Sequence, residues 1–358
     1  DSDGHSKVVN ATDMADYDST EAMYGQPPRV TAFKGEQAVT SALLEVSEAK
    51  QSKIYVLNGH GEPELKSETL SGLKAYIERQ NLKLDALNLM DVDKIPDDAN
   101  AIVIIGPKYD FTEREMKLFQ DYWAKNGRVF IALDPAAATA RLLAFLNDQG
   151  VKPEDDRILR TVNLGPVTGI LRDVTTDFVE GSPITKRLKD VNGVFLGATQ
   201  SLALDPARVT PANIKLQPLI QAGQGFWGET AYNIGEGDTI FFDPQKDRAA
   251  PLTLAVSVEK GALSDARVKV GSSRMIVVGN STFVTNEALT EANVDLVLGS
   301  LNWLIDREEL IGITPKEAKT FTLNLTQAQV GNIALLSMAI IPSFAAALGV
   351  ASWWQRRR

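Results

Sequence analysis

The chain of 358 residues contains no cysteine and only two histidines, His5 and His60. Without cysteine there is no disulfide, no thiolate metal site and no cysteine nucleophile, and the redox compartment is left open. With two imidazoles a multi-histidine metal centre within one chain is excluded, so no metal and no cofactor are expected. No G-x-x-x-x-G-K-[ST] phosphate loop occurs, so nucleotide hydrolysis by this chain has no motif behind it. Residues 330–358 carry no acid, and residues 330–354 carry no charge at all. Residues 1–329 then hold 34 basic against 46 acidic side chains, a net of −12. A body that acidic is a poor match for a phosphate backbone, which excludes nucleic acid as a partner.

What is present fits a globular protein with a sizeable core: 44% hydrophobic and 23% charged residues. The tail "VGNIALLSMAIIPSFAAALGVASWWQRRR" has the properties of a membrane span. Its 25 uncharged residues, Val330 to Trp354, would reach roughly 37 Å as a helix, enough for a hydrocarbon core of about 30 Å. Trp353 and Trp354 mark an interface, and Arg356, Arg357 and Arg358 form a positive flank on one side. The positive-inside rule keeps these arginines in the cytoplasm and places the body outside it, with the lipid bilayer as a partner. Within the span, Ala334, Ser337, Ala345 and Gly349 form a small-residue strip at helical spacing, expected to pack against another membrane helix. The chain starts at Asp1 with no secretory signal, so a fragment or a processed product is expected.

Along the body, residues 1–28 are polar and aperiodic and read as an irregular arm. "GEQAVTSALLEVSEAK" has Val39, Ala42, Leu43 and Val46 at helical spacing. Strand-like and helix-like stretches then alternate through residue 152. The strands are Ile54–Leu57, "LKLDALNL", "AIVIIG" and "RVFIALD"; the helices carry Leu70, Leu73 and Ile77, then Met116, Phe119 and Trp123, then residues 137–149. Thr112 with Glu115 three residues on is a capping box. This alternation predicts an α/β fold with a doubly wound, mostly parallel, flavodoxin-like sheet. Residues 153–270 read as a β-rich insertion or subdomain, with "GVFLGA", "IKLQPLI", "DTIFF" and "LTLAVSVEK" as strands. Residues 271–328 return to the α/β layer through "SRMIVVGNSTF" and a helix over 292–306, and 329–358 form the membrane helix with its arginine tail.

Ligands of an open parallel sheet bind beyond the carboxyl ends of its strands. The strand ends here carry Gly59-His60-Gly61-Glu62, Gly106, Asp134 and Gly279-Asn280-Ser281. Gly61 is expected near a helix N-terminus, where free amides could hold an anion. His60 with Glu62 could do acid–base chemistry, yet a histidine between glycines more often fixes a neighbouring loop. Asp134-Pro135 suits a turn or a helix cap. Ser281 lacks the G-x-S-x-G elbow that would expose a nucleophile. The set is a candidate ligand-binding or loop-organising site with no catalytic residue assigned.

Two blocks resemble a known family. "FKGEQAVTSALLEVSEAKQSKIYVLNGHGEPEL" and "MIVVGNSTFVTNEAL…NVDLVLGSLNWLIDREELIGITPK" are similar to the gliding-motility-type ABC transporter auxiliary proteins, the GldG-like family. The resemblance covers residues 30–150 and 270–358. It implies an extracytoplasmic domain similar to class I glutamine amidotransferases, with Asp134-Pro135 where those enzymes carry their nucleophilic cysteine. It also implies a non-enzymatic role beside an ABC permease and its ATPase in the bacterial inner membrane, in transport or gliding motility, with self-association left open. Two departures stand out. Asn280 replaces a common Asp, and the N-terminal membrane helix and first extracytoplasmic segment of full-length members are absent. The rival readings are an envelope hydrolase using His60 and Glu62, and a solute-binding module at the same edge.

Overall fold

The computed structural model describes residues 51–308 apart from 165–166, 187, 189–190, 210–212, 233–239 and 262–270. It also describes residues 9–10, 14–18, 29–33, 35, 38–39, 42–43 and 316–317. The chain divides into two units. The second, Tyr17–Ala32 with Glu317–Arg358, is represented among the described residues only by short extended pieces. The first, Asp1–Asp16 with Phe33–Lys316, holds the α/β body.

The body is built on one nine-stranded sheet. Its strands are β1 (Ser52–Asn58), β2 (Leu82–Asn88), β3 (Ala101–Ile105), β4 (Arg128–Ala132), β5 (Val174–Phe178), β6 (Gly193–Phe195), β7 (Ile214–Ala222), β8 (Thr253–Lys260) and β9 (Ser273–Val278). They lie in the order β6-β5-β7-β8-β9-β4-β3-β1-β2. The last five are parallel to one another and run, by chain order, 2-1-3-4-5, a doubly wound arrangement. From β9 onward in the other direction every pairing is antiparallel. The sheet is therefore mixed, where a mostly parallel one was expected. The β-rich stretch supplies β5 to β8, which extend the parallel strands. It also makes a small sheet from 157–164, 167–171 and 227–229. "DTIFF" is not a strand where it is described: Ile240 packs instead on Leu159 and Trp227.

Four helices cover the two faces: α1 (Ser71–Arg79), α2 (Glu113–Ala124), α3 (Ala140–Asp148) and α4 (Glu291–Leu304). Alternation along the strands sends Ile54, Val56, Val103 and Phe130 toward Leu73, Ile77 and the α4 residues Val294, Val297 and Leu301. Tyr55, Leu57, Ile102 and Ile131 face Met116, Phe119, Leu142 and Phe145 on the other side. Two covered faces explain why these strands read as unbroken apolar runs. Each fully buried Ile or Leu contributes about 1.5–3 kcal/mol of transfer free energy.

Helix ends follow their side chains. Thr112 and Glu115 form the predicted capping box of α2, with both reciprocal bonds present. At α4, the Thr290 hydroxyl accepts from Asn293 N at 3.3 Å. We expect Thr290→Ala to cost about 1 kcal/mol, read as a lower denaturant midpoint, and Thr290→Ser to restore it. An Ala variant with the wild-type midpoint would show that this cap contributes nothing.

The chain enters β1 and leaves α4 at the same edge of the sheet. Asp306, just past α4, pairs with Arg128 at 2.7 Å and with Arg274 at 3.1 Å, at the starts of β4 and β9. The strand-end loops lie at the opposite edge, about 17 Å away along a five-residue strand.

The predicted membrane helix, with Ala334, Ser337, Ala345, Gly349, Trp353, Trp354, Arg356, Arg357 and Arg358, lies outside the described residues, as does most of the 1–28 arm. Among the described residues no helix is long and apolar enough to cross a membrane. In the helix predicted over 35–50, Val39 and Leu43 are exposed at 43% and 60%, so its expected apolar face meets no core at these positions.

Candidate functional site at the strand ends

In a 2-1-3-4-5 sheet the ligand crevice opens between β1 and β3, whose following segments pass to opposite faces. The loop after β1 carries Gly59-His60-Gly61-Glu62 and leads to α1; the loop after β3 carries Gly106 to Phe111 and leads to α2. Here the chain's own side chains fill the place between them. The His60 carbonyl accepts from Lys108 N at 2.7 Å and Tyr109 N at 2.9 Å, which ties one loop to the other. The His60 ring stacks on Phe111 with centroids 4.0 Å apart. His60 is 4% exposed and Phe111 is 2% exposed.

Two carboxylates flank the imidazole, one at each nitrogen. His60 Nδ1 lies 3.5 Å from Glu62 Oε1, and Nε2 lies 3.2 Å from Glu115 Oε1. Both carboxylates are buried. Their other oxygens are engaged: Glu62 Oε2 accepts from His60 N at 2.6 Å, and Glu115 Oε2 accepts from Thr112 N at 2.8 Å and from its hydroxyl at 2.7 Å. His60 Nδ1, Glu62 Oε1 and Glu115 Oε1 make no regular hydrogen bond, so charge attraction is the interaction left to them.

The protonation states follow. Burial disfavours a charged imidazole, but the closeness and negative charge of Glu62 and Glu115 outweigh it, holding the His60 pKa above its ordinary 6.5. For Glu115 burial acts upward, and the Thr112 amide and hydroxyl with His60 overrule it, holding the carboxyl below its ordinary 4.5. The arrangement favours an imidazolium between the two carboxyl groups. Because the carboxylates face different ring nitrogens, they do not converge on one point. Among the described residues no group of three His, Asp or Glu could hold a metal ion.

The glycines permit this closeness. Gly61 has φ +86°, and a Cβ placed there would lie 3.0 Å from Lys108 Cβ and 3.1 Å from the Tyr109 ring. Gly59 has φ +112° and runs beside Asn88. Gly61 is not at a helix N-terminus, since α1 begins only at Ser71, so the expected anion site of free helix amides is absent there. Glu62 serves His60, through its backbone N–H and beside Nδ1.

The remaining strand-end residues form a second group. Gly106 has φ +56° and packs against Ser281 and Asp134. The Asp134 carboxylate accepts from Ala136 N at 2.9 Å, a turn, and α3 starts later, after Thr139. That turn is fixed by Arg157, which donates to Pro135 O at 2.6 Å and stacks on Tyr232. Asn280 is fully buried. Its Nδ2 donates to Leu196 O at 2.9 Å, Ala198 O at 3.0 Å and Thr199 Oγ1 at 2.9 Å, while its Oδ1 accepts from Phe283 N at 2.8 Å. No hydrogen bond joins the imidazole to Ser281 among the described residues.

The sequence reading had Glu115 as a cap and missed its second face toward His60. Strand order was the signal that could have found it, because adjacent β1 and β3 bring their following loops together. It also missed Asn293, whose Nδ2 donates to Ala288 O, Phe283 O and Val194 O, and which no local pattern marks.

Residues 51–162, which contain β1 to β4, His60, Glu62 and Glu115, match the family described as ABC-type uncharacterized transport system. The match supports an auxiliary component of an ABC-type transport system. No curated protein matches the chain. Solved structures similar to it include the mmIFT52 N-terminal domain, 14% identical, covering 71% of this chain and 97% of that one, with a TM-score of 0.48. A thua-like protein from Parabacteroides merdae is 13% identical, covering 77% and 95%, with a TM-score of 0.40. The exo-beta-1,4-mannosidase Op5Man5 from an Opitutaceae bacterium is 13% identical, covering 81% and 40%, with a TM-score of 0.36. Likenesses this loose carry no argument about function.

Proposed function

We propose that the protein is a non-catalytic auxiliary subunit of an ABC-type transport complex, binding or coupling while a partner hydrolyses ATP. The observation that carries this is the filled crevice. Where this fold offers its ligand site, His60 is clamped between two carboxylates and packed on Phe111, and the segment that does this is the segment matching the transport family. A hydrolytic His60 would need an open pocket and an oxygen nucleophile within reach; the imidazole here is buried, with a carboxylate at each nitrogen.

The finer reading is a GldG-like subunit with an amidotransferase-like body on the outer side of the bacterial cytoplasmic membrane. The uncharged 330–354 segment and the three terminal arginines support an anchor with a cytoplasmic end. The small-residue strip at Ala334, Ser337, Ala345 and Gly349 supports packing against a permease helix. Purification from native membranes in mild detergent tests the proposal. We expect a polytopic permease and an ATPase to co-purify in repeatable ratio; repeated recovery of this chain alone would overturn it.

A further inference from the structure

We infer that His60, Glu62 and Glu115 form a buried proton-binding site that locks the loop after β1 to the loop after β3. The geometry carries it. One imidazole, 4% exposed, bridges a carboxylate on its own loop and a carboxylate on α2, and both facing oxygens lack any other partner. With the proton present, one positive charge stands between two negative ones. With it gone, two buried carboxylates face a neutral ring that keeps a single N–H, so one of them loses its donor and neither has an opposite charge. No other charge takes over. On the second loop Lys108 is exposed and lies over Gly61, while Asp110 is engaged by Arg141 at 2.9 Å; from the remaining packed element, α2, only Glu115 faces the ring. The lock holds a visible feature in place, since Lys108 and Tyr109 donate to the His60 carbonyl and Tyr109 is 68% exposed.

The direction with pH follows from the two shifts. His60 is raised when the lock is closed, so its contribution is complete below the free imidazole value of about 6.5 and is lost as pH rises through its own higher value. Glu115 is lowered, so its contribution is complete above about 4.5 and is lost as pH falls through its own lower value. The lock is strongest between these limits and opens on the alkaline side.

Only two histidines exist, which makes the test direct. The full chain, labelled with [15N]histidine, is titrated by NMR, and amide exchange at Lys108 and Tyr109 is followed over the same range, corrected for intrinsic exchange. We expect His60 to titrate above the free imidazole value of about 6.5. We expect protection at 108 and 109 to fall about tenfold per pH unit between 6.5 and the His60 midpoint, then level off. Glu115→Gln should lower that midpoint, and His60→Gln should abolish the pH dependence. A His60 midpoint at or below about 6.5 would overturn the inference, as would protection that passes unchanged through the midpoint. The lock rests on the same clamp as the proposed function, but none of these readouts depends on a transport partner, so failure of the one is told apart from failure of the other.

Discussion

Gly279→Ala is expected to lose about 3–5 kcal/mol of stability, read as a large drop in the denaturant midpoint. Gly279 follows β9 directly and is bonded on both sides: its N–H donates to Leu254 O at 2.8 Å, and its carbonyl accepts from Gln200 N at 2.8 Å. A Cβ there would stand 2.2 Å from Gln200 O, a backbone atom that cannot swing away as a side-chain tip would. Relief requires the 199–201 segment to withdraw, which breaks the Gln200 bond and disturbs the Asn280 contacts beside it. The glycine is needed for space, not for a left-handed backbone. Gly261 separates the two causes, having φ +86° and nothing within 4 Å of an added Cβ. Gly261→Ala should cost only about 1–2 kcal/mol of backbone strain. Equal losses at the two positions would refute the clash at 279.

The parallel half of the fold was legible because its signals are local. "AIVIIG" and "RVFIALD" are unbroken apolar runs, Thr112 and Glu115 announce a helix start, and Asn126-Gly127 announces its end. The antiparallel half was legible only as strands. Nothing in "LTLAVSVEK" says that it pairs with β9 on one side and with β7, some forty residues earlier, on the other. Such pairings depend on what each strand packs against, not on its own composition. "DTIFF" misled for a related reason: Ile240 is buried by contact with Trp227 and Leu159, without a ladder, while Phe241 and Phe242 are exposed.

At the strand ends, the sequence reading took these residues as one set, and the structure places them in two groups. His60 and Glu62 were paired as neighbours, but the charge that completes the group comes from Glu115, 55 residues on, and becomes visible only through strand order. Gly106, Asp134 and Ser281 do converge, as a shared strand-end edge required. The role of Asn280 was invisible, since its three acceptors lie in the 196–199 loop, a stretch with no distinguishing pattern.

That residue supports the second large effect. Asp and Asn differ by one side-chain group of nearly the same shape, so Asn280→Asp looks conservative. The structure predicts otherwise. Nδ2 meets three acceptors, two of them backbone carbonyls, in a fully buried place. A carboxylate put there faces oxygen on every side it formerly donated to, at a cost of about 3–5 kcal/mol for an uncompensated buried charge. The variant can escape by staying protonated, when its single O–H serves one acceptor. Its pKa in the fold therefore lies above the unfolded value of about 3.9. Below that value both states carry the proton and the penalty is smallest. Above it the penalty grows by about 1.4 kcal/mol per pH unit until the folded pKa is passed. The stability gap between wild type and Asn280→Asp, measured by denaturation at pH 4 and pH 7, should therefore be distinctly wider at pH 7. Comparison with wild type at each pH removes the His60 contribution, which both chains share. A gap of the same size at both values would mean that the residue at 280 meets a donor, and that the 196–199 loop of this chain is not shaped around an amide.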